Sequence, residues 1–297
     1  MTAEALREAV LTARKNLAVW RRGLQPEAEL CRLQYAALAR HAAKAFHAGT
    51  WRDLGELRGF LAPLSNAAEG SLPPLEAAMG AEERLALAAE LLRLLPELFP
   101  EPAEAQQSLA GPVAALDNPF FAAAAERFAP LTGDAPILTV PAFADVCEAV
   151  SRGNACFGIL PLEDSADGKL LHVYEQIDRF ELHISHTADI SYPDGSKTVR
   201  FALFSHTEPI STAVAGEGML ECSQFGENRG GLVELLNTAL ATGLSLRRID
   251  AIPAPYGADG FFYHPIFRTA GGNVRLFEAY LACFMPRTTI TARYVHI

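Results

Sequence analysis

Apolar positions divide the chain into three stretches with different periods. The first runs from residue 1 to about 108 and repeats at helical spacing. Leu6, Val10, Leu17 and Leu24 lie four or seven positions apart and share one helical face. Leu30, Leu33, Ala37 and Leu38 carry the pattern on beyond Pro26. Residues 84–99, RLALAAELLRLLPELF, form a further amphipathic segment, perturbed near its end by Pro96. The composition, rich in Ala, Leu, Glu and Arg and poor in β-branched residues, favours helix. Breakers at Pro63, at Ser71–Pro74 and at Pro100–Pro102 cut the stretch into about four or five helices. A linker is expected near residues 100–110.

Short apolar runs then alternate with helical ones. Strands are predicted over Val113–Leu116, Ile137–Val140, Cys156–Leu160, Phe180–Ser185 and Val199–Phe204. Helices are predicted over Phe120–Phe128, Phe143–Ser151 and Leu170–Ile177. The β-α-β-α-β rhythm argues for a partly parallel sheet. Tyr192–Lys197, YPDGSK, carries the Pro-Asp-Gly chemistry of a tight turn. The last stretch reads strand, helix, strand, strand, helix, strand: Met219–Phe225, Gly231–Thr242, Leu244–Ile252, Phe261–Phe267, Asn273–Cys283 and Thr289–Val295. That is the ferredoxin-like βαββαβ order. The predicted fold class is α+β multidomain, with a helical domain over 1–108, a single α/β lobe over 109–208 and a βαββαβ domain over 215–297.

The 297 residues are 50% hydrophobic, enough to bury a core without staples. With 35 Asp+Glu against 25 Lys+Arg the net charge is -10, which argues against a nucleic-acid partner held by a broad basic surface. A small anionic ligand stays open, since two well-placed arginines suffice for it. Cys31, Cys147, Cys156, Cys222 and Cys283 are odd in number and have no CxxC spacing. They read as reduced, mostly buried thiols and give neither a disulfide framework nor a zinc knuckle. Neither a signal peptide nor an apolar run of about 18 residues is seen, so a soluble cytoplasmic protein without a membrane span is expected. Glycine-x-Ser-x-Gly, Walker and His-Glu-x-x-His patterns are missing, and the spacing of His172, His183, His186 and His206 does not suit a metal. Neither a metal nor another cofactor is expected.

Phe143–Gly168, FADVCEAVSRGNACFGILPLEDSADG, resembles prephenate dehydratase. That family has a helix of the type F-x-D-V-x-x-A-V, a turn, and a strand ending Y-G-V-x-P-I-E-N-S-x-x-G. Phe143, Asp145, Val146, Ala149, Val150, Gly158, Pro161, Glu163, Ser165 and Gly168 match it. His172–Ile177 resembles the family's next helix, and Val199–Phe201 its Thr-Arg-Phe strand. Asn228–Pro253 resembles the ACT regulatory domain that follows. There GGLVELL stands for a Gly-Ala-Leu-type motif and IDAIP for Ile-Glu-Ser-Arg-Pro. The N-terminal helices sit where bifunctional relatives carry a chorismate mutase domain.

The resemblance implies roles for particular residues. Arg200 would clamp a substrate carboxylate bidentately, or else pair with Glu163 or Asp164. Thr198 would supply the catalytic hydroxyl if the strand register shifted. Glu163, Asp164 and Ser165 form a loop on the ligand side of the sheet, or a loop that caps the next helix through Ser165. Asn228, Gly230, Gly231 and Leu232 would offer helix-start amides to an effector carboxylate, and Asp250 would meet its ammonium. Alternatively, Gly230 and Gly231 only permit close packing. ACT domains pair edge to edge, so a homodimer is implied.

Three departures weigh against turnover. The Gly-Pro-x-Gly-Thr-Phe-Ser loop is replaced by Ala114–Ala124, where Asp117 would repel an anion. The catalytic threonine aligns with Val199. Only about 30 residues separate Gly168 from Val199, so the family's second lobe is missing or reduced to a hairpin. The mutase signature is absent too, and Arg14, Lys15, Arg21 and Arg22 read as a solvated helix face. A pocket lined by Arg14, Arg21 or Arg40 would revive a mutase role. The expected function is a degenerate prephenate dehydratase-like regulator that binds an aromatic amino acid or another small carboxylate. The alternative is an active dehydratase, or a chorismate mutase/prephenate dehydratase, with a rebuilt site.

Overall fold

The computed structural model describes residues 33, 35–61, 81–99, 111–166, 168–192, 195–207, 215–226, 229–253 and 260–297. By contact density the chain forms two units, and each is taken by itself.

The first unit is helical. It contains α1 (residues 35–47), α2 (Leu54–Leu61), α3 (Ala81–Leu94) and α8 (Val274–Phe284). Asp53 caps α2 by accepting a hydrogen bond from the Glu56 amide at 2.8 Å. Apolar residues at helical spacing bury one common core: Ala39 and Ala42 of α1, Leu57 of α2, Leu87 and Leu91 of α3, and Ala279 and Cys283 of α8, with Trp51 between α1 and α2. Burial pushes the Cys283 thiol up to about 12, which leaves it inert. Arg14, Lys15, Arg21 and Arg22 lie outside the described residues, and Arg40 is exposed on α1.

The second unit is built on one ten-stranded sheet. Its strands are β1 (Val113–Leu116), β2 (Ile137–Val140), β3 (Phe157–Asp164), β4 (Gly168–Lys169), β5 (His183–Ser191), β6 (Thr198–Ser205), β7 (Glu217–Phe225), β8 (Ser245–Pro253), β9 (Phe261–Arg268) and β10 (Thr288–His296). Their order is β2-β1-β3-β6-β5-β10-β7-β9-β8, with β4 on β3. The helices of this unit are α4 (Pro119–Thr132), α5 (Phe143–Ser151), α6 (Leu171–Arg179) and α7 (Arg229–Ala241). β1, β2 and β3 run parallel, as the β-α-β-α-β pattern predicts. α4 starts with Pro119 behind an Asn118 cap, whose Oδ1 accepts from the Phe120 amide at 2.9 Å. α4 buries Phe121, Ala124 and Phe128, and α5 buries Val146, Cys147 and Val150.

β5 and β6 form an antiparallel hairpin closed at Tyr192–Lys197, where Tyr192 N donates to Lys197 O at 2.8 Å. The strand expected over Phe180–Ser185 begins three residues later, at His183. Glu181 takes a left-handed φ of 52° and Leu182 N donates to Ile177 O at 3.0 Å, so these residues close α6 instead. The last four strands stand in the order β10-β7-β9-β8, antiparallel throughout, which is the ferredoxin-like arrangement of a βαββαβ chain.

The sequence sets residues 109–208 apart from residues 215–297, but their strands share this sheet. β10 joins β5 in parallel through Val295–His186 and His296–Thr187. The sheet also rolls. Glu163 on β3 touches Arg248 on β8 at 3.0 Å although five strands separate them in the order. Among the described residues, no helix is long and apolar enough to cross a membrane.

Candidate functional site

Charged residues stand within otherwise apolar strands, and the roll of the sheet gathers them. A buried charge costs several kcal/mol unless a partner stands against it, so the pairing pattern is informative. Arg200 on β6 lies between Glu163 on β3 and Asp189 on β5, its direct neighbours in register. Its Nε and Nη2 donate to Asp189 Oδ1 and Oδ2 at 2.8 and 3.0 Å, and its Nη1 donates to Glu163 Oε2 at 3.0 Å. Arg248 grips both Glu163 oxygens, with Nη1 at 3.0 Å from Oε2, and donates through Nε and Nη2 to Asp250 Oδ2 at 3.1 and 2.9 Å. Lys169 of β4 pairs with Glu221 of β7, stands 3.6 Å from Asp250, and lies over the Tyr174 ring at 4.8 Å. His264 Nδ1 and Glu221 Oε1 are 3.6 Å apart. His296 bridges Asp189, at 3.6 Å, and Thr187 Oγ1, at 3.0 Å.

The network sets the protonation of its members. Burial alone would raise the Asp189 carboxyl, but its hydrogen bonds and attraction to Arg200 outweigh that and hold it below the ordinary carboxylate range. Burial opposes ionisation of Glu221 too, and His264 and Lys169 reverse it. Burial keeps the His296 pKa low. Both Tyr174 and Tyr294 have their hydroxyl pKa raised, first by burial and then by the carboxylate of Glu221. Both phenols are held neutral.

The sequence-predicted residues fall into this frame as follows. Arg200 directs three of its five N–H donors at two carboxylates, and its side chain is 13% exposed. Thr198 shares the Arg200 face, but its hydroxyl lies 3.1 Å from Ser191 Oγ. Val199 points the other way and is buried in the apolar core. Asp164 accepts from Ala166 N at 2.8 Å and stands 3.5 Å from Lys197 Nζ. Ser165 ties the loop to β6 by accepting from Thr198 N at 3.0 Å and donating its own amide to Thr198 O at 2.9 Å. At the start of α4, Pro119 offers no amide hydrogen and Asn118 takes that of Phe120. Little is left there for an anion.

Asn228 lies outside the described residues. Gly230 is in the first turn of α7, and Leu232 is half-buried. A Cβ on Gly231 would come 3.2 Å from Gln224 Nε2, so this glycine lets α7 lie close to β7. Asp250 belongs to the ion network. Among the described residues, no group of three or more His, Cys, Asp or Glu could hold a metal ion.

Sequence reasoning missed Lys169, Asp189, Glu221, Arg248 and His264. The available signal was a single acidic or basic residue within an apolar strand, as in GMLECSQF (Gly218–Phe225). It also missed a cavity of about 780 Å³. β5 and β10 pair at only two positions, and the cavity opens where they part. α6 contributes Tyr174 and Ile177 to its wall, β5 His183 and Ile184, β7 Met219 and Glu221, and β10 Ala292 and Tyr294.

No family model matches the chain, and no curated protein matches it. Solved structures do. Prephenate dehydratase from Streptococcus mutans superposes with a TM-score of 0.52 and 18% identity, over 63% of this chain and 98% of that one. GqqA, described as a novel type of quorum quenching acylase, gives 0.48 and 15%, over 63% and 94%. The Arthrobacter aurescens prephenate dehydratase in complex with L-Phe gives 0.47 and 15%, over 63% and 90%. The Streptococcus mutans match establishes a likeness of fold: an α/β mixed sheet resembling prephenate dehydratase over 63% of the chain.

Proposed function

We propose that this chain is a ligand-binding protein on the prephenate dehydratase fold that has lost dehydratase chemistry. It takes an aromatic amino acid or a related small carboxylate and serves as a regulatory or partner subunit in aromatic amino acid (phenylalanine) biosynthesis. The observation that carries this reading is the state of Arg200. Dehydration of prephenate needs cationic groups for two carboxylates and an acid near the leaving hydroxyl. The arginine in the position to clamp a carboxylate donates two hydrogen bonds to Asp189 and one to Glu163. The hydroxyl expected beside it is replaced by Val199, buried on the opposite face.

The βαββαβ part is read as an ACT-like regulatory domain, and residues 1–108 as a degenerate mutase-like domain. β8 ends the strand order, and Leu246 on it and Phe261 beside it are 46% and 47% exposed. An edge of this kind suits pairing with a second copy. The test is incubation of folded protein with prephenate, with phenylpyruvate followed by its absorbance in alkali. No turnover is expected. Enzyme-dependent phenylpyruvate that disappears in an Arg200→Ala variant overturns the reading.

A further inference from the structure

We infer that the cavity between β5 and β10 is the ligand site and that it recognises an ammonium group on an apolar, aromatic-sized body. Glu221 serves as the counter-ion. The inference rests on the reading of the chain as a binding protein and adds the place and the group recognised.

Size and lining come first. A volume of about 780 Å³ lies within the range of cavities that enclose small organic ligands. Ile177, Met219 and Tyr294 give it apolar walls. Glu221 belongs to the same wall, on the strand neighbouring Ala292. It is 2% exposed, and its Oε2 has no hydrogen-bond partner among the described residues. Lys169 and His264 both approach the other oxygen, Oε1. A buried acceptor left without a donor is costly, and an ammonium brings three donors together with the opposite charge.

The charge of the wall points the same way. Glu175, Asp178 and Glu221 are its acids, and Arg293 is the one lysine or arginine among its described residues. Lys169, paired with Glu221 from outside the lining, offsets one of these acids, and the wall keeps a smaller surplus of negative charge that disfavours a carboxylate and favours an amine. The cavity therefore favours ligands that carry an ammonium over keto acids and other carboxylates of the same size that carry none.

Calorimetric titration of the full chain with phenethylamine and with 3-phenylpropionate, near-isosteric and opposite in charge, tests this, with phenylalanine as a third probe. Saturable binding of phenethylamine and phenylalanine is expected, with 3-phenylpropionate weaker by at least about tenfold. Glu221→Gln should weaken the amine by a similar factor. Because that variant disturbs a buried pair, Ala292→Phe, which fills the cavity from the β10 wall, is titrated beside it after circular dichroism shows both folded. It should weaken the amine as much. If 3-phenylpropionate binds as tightly as phenethylamine, or the amine binds undiminished to Ala292→Phe, the inference falls and the binding-protein reading stands. If none of the three probes binds, both fall.

Discussion

Glu163 and Arg248 are hydrogen-bonded at 3.0 Å from strands that five others separate in the sheet order. The pair clasps the rolled sheet, and Arg200 shares its carboxylate. Breaking a buried pair by removing one partner leaves the other charge uncompensated. Glu163 is 8% exposed, whereas the Arg248 side chain is 38% exposed and can recover water. Glu163→Gln removes the carboxylate acceptor that Arg200 and Arg248 share, whereas Arg248→Met leaves Glu163 its bond to Arg200, so the first should cost about 1–3 kcal/mol and more than the second. Urea unfolding of the two variants reads the difference, and equal costs would mean that no such clasp exists.

Restoring the missing threonine should not restore chemistry. Val199 is 8% exposed on the face opposite Arg200, so Val199→Thr places a hydroxyl in the apolar core. No phenylpyruvate should form from prephenate. Stability should fall by about 1–3 kcal/mol from the buried, unpaired hydroxyl. Turnover by this variant would show that β6 can turn its faces over.

Gly158 lies opposite Phe204 in the β3–β6 register, and the ring covers it so closely that a Cβ would stand 2.3 Å from Cζ. Gly158→Ala should cost about 1–3 kcal/mol through overpacking. A second change, Phe204→Leu, should recover part of that loss. A double-mutant cycle by thermal unfolding measures the coupling.

His186 makes stability depend on pH. Neither of its ring nitrogens has a partner among the described residues, and burial lowers its pKa from 6.5 to about 4. Below pH 6.5 the unfolded chain takes up a proton that the folded chain refuses. Stability is therefore complete above that pH and falls until pH reaches about 4, by about 3 kcal/mol in all. His186→Leu should flatten this part of the profile, and the wild type minus variant difference removes the separate acid loss at Asp189. A difference that does not change between pH 7 and pH 4 would count against the assignment.

Periodicity and turn chemistry made much of the fold readable. Val113–Leu116, Ile137–Val140 and Phe143–Ser151 occupy the expected residues because each is a short apolar or amphipathic run between clear breakers. The pairing of β5 with β10 was not readable, since nothing local in HISHTADIS names its neighbour. The site divided along the same line. The Glu163–Arg200 contact was one of two readings open to those residues. Asp189 joins it as Arg200's neighbour across the β5–β6 hairpin, and Arg248 only through the curvature of the sheet, which no spacing records.

The seam between β5 and β10 bears on how the molecule is made. Thr187 and His296 meet across it although they are 109 positions apart. While ribosomes are still translating the intervening segment, β5 has β6 on one side and an open row of amides and carbonyls on the other. Contacts of such long range form late, and open rows of this kind invite pairing between neighbouring nascent chains. Val295 and His296 thus close part of that row, and a ribosome that stalls before them releases a chain with a sticky flank.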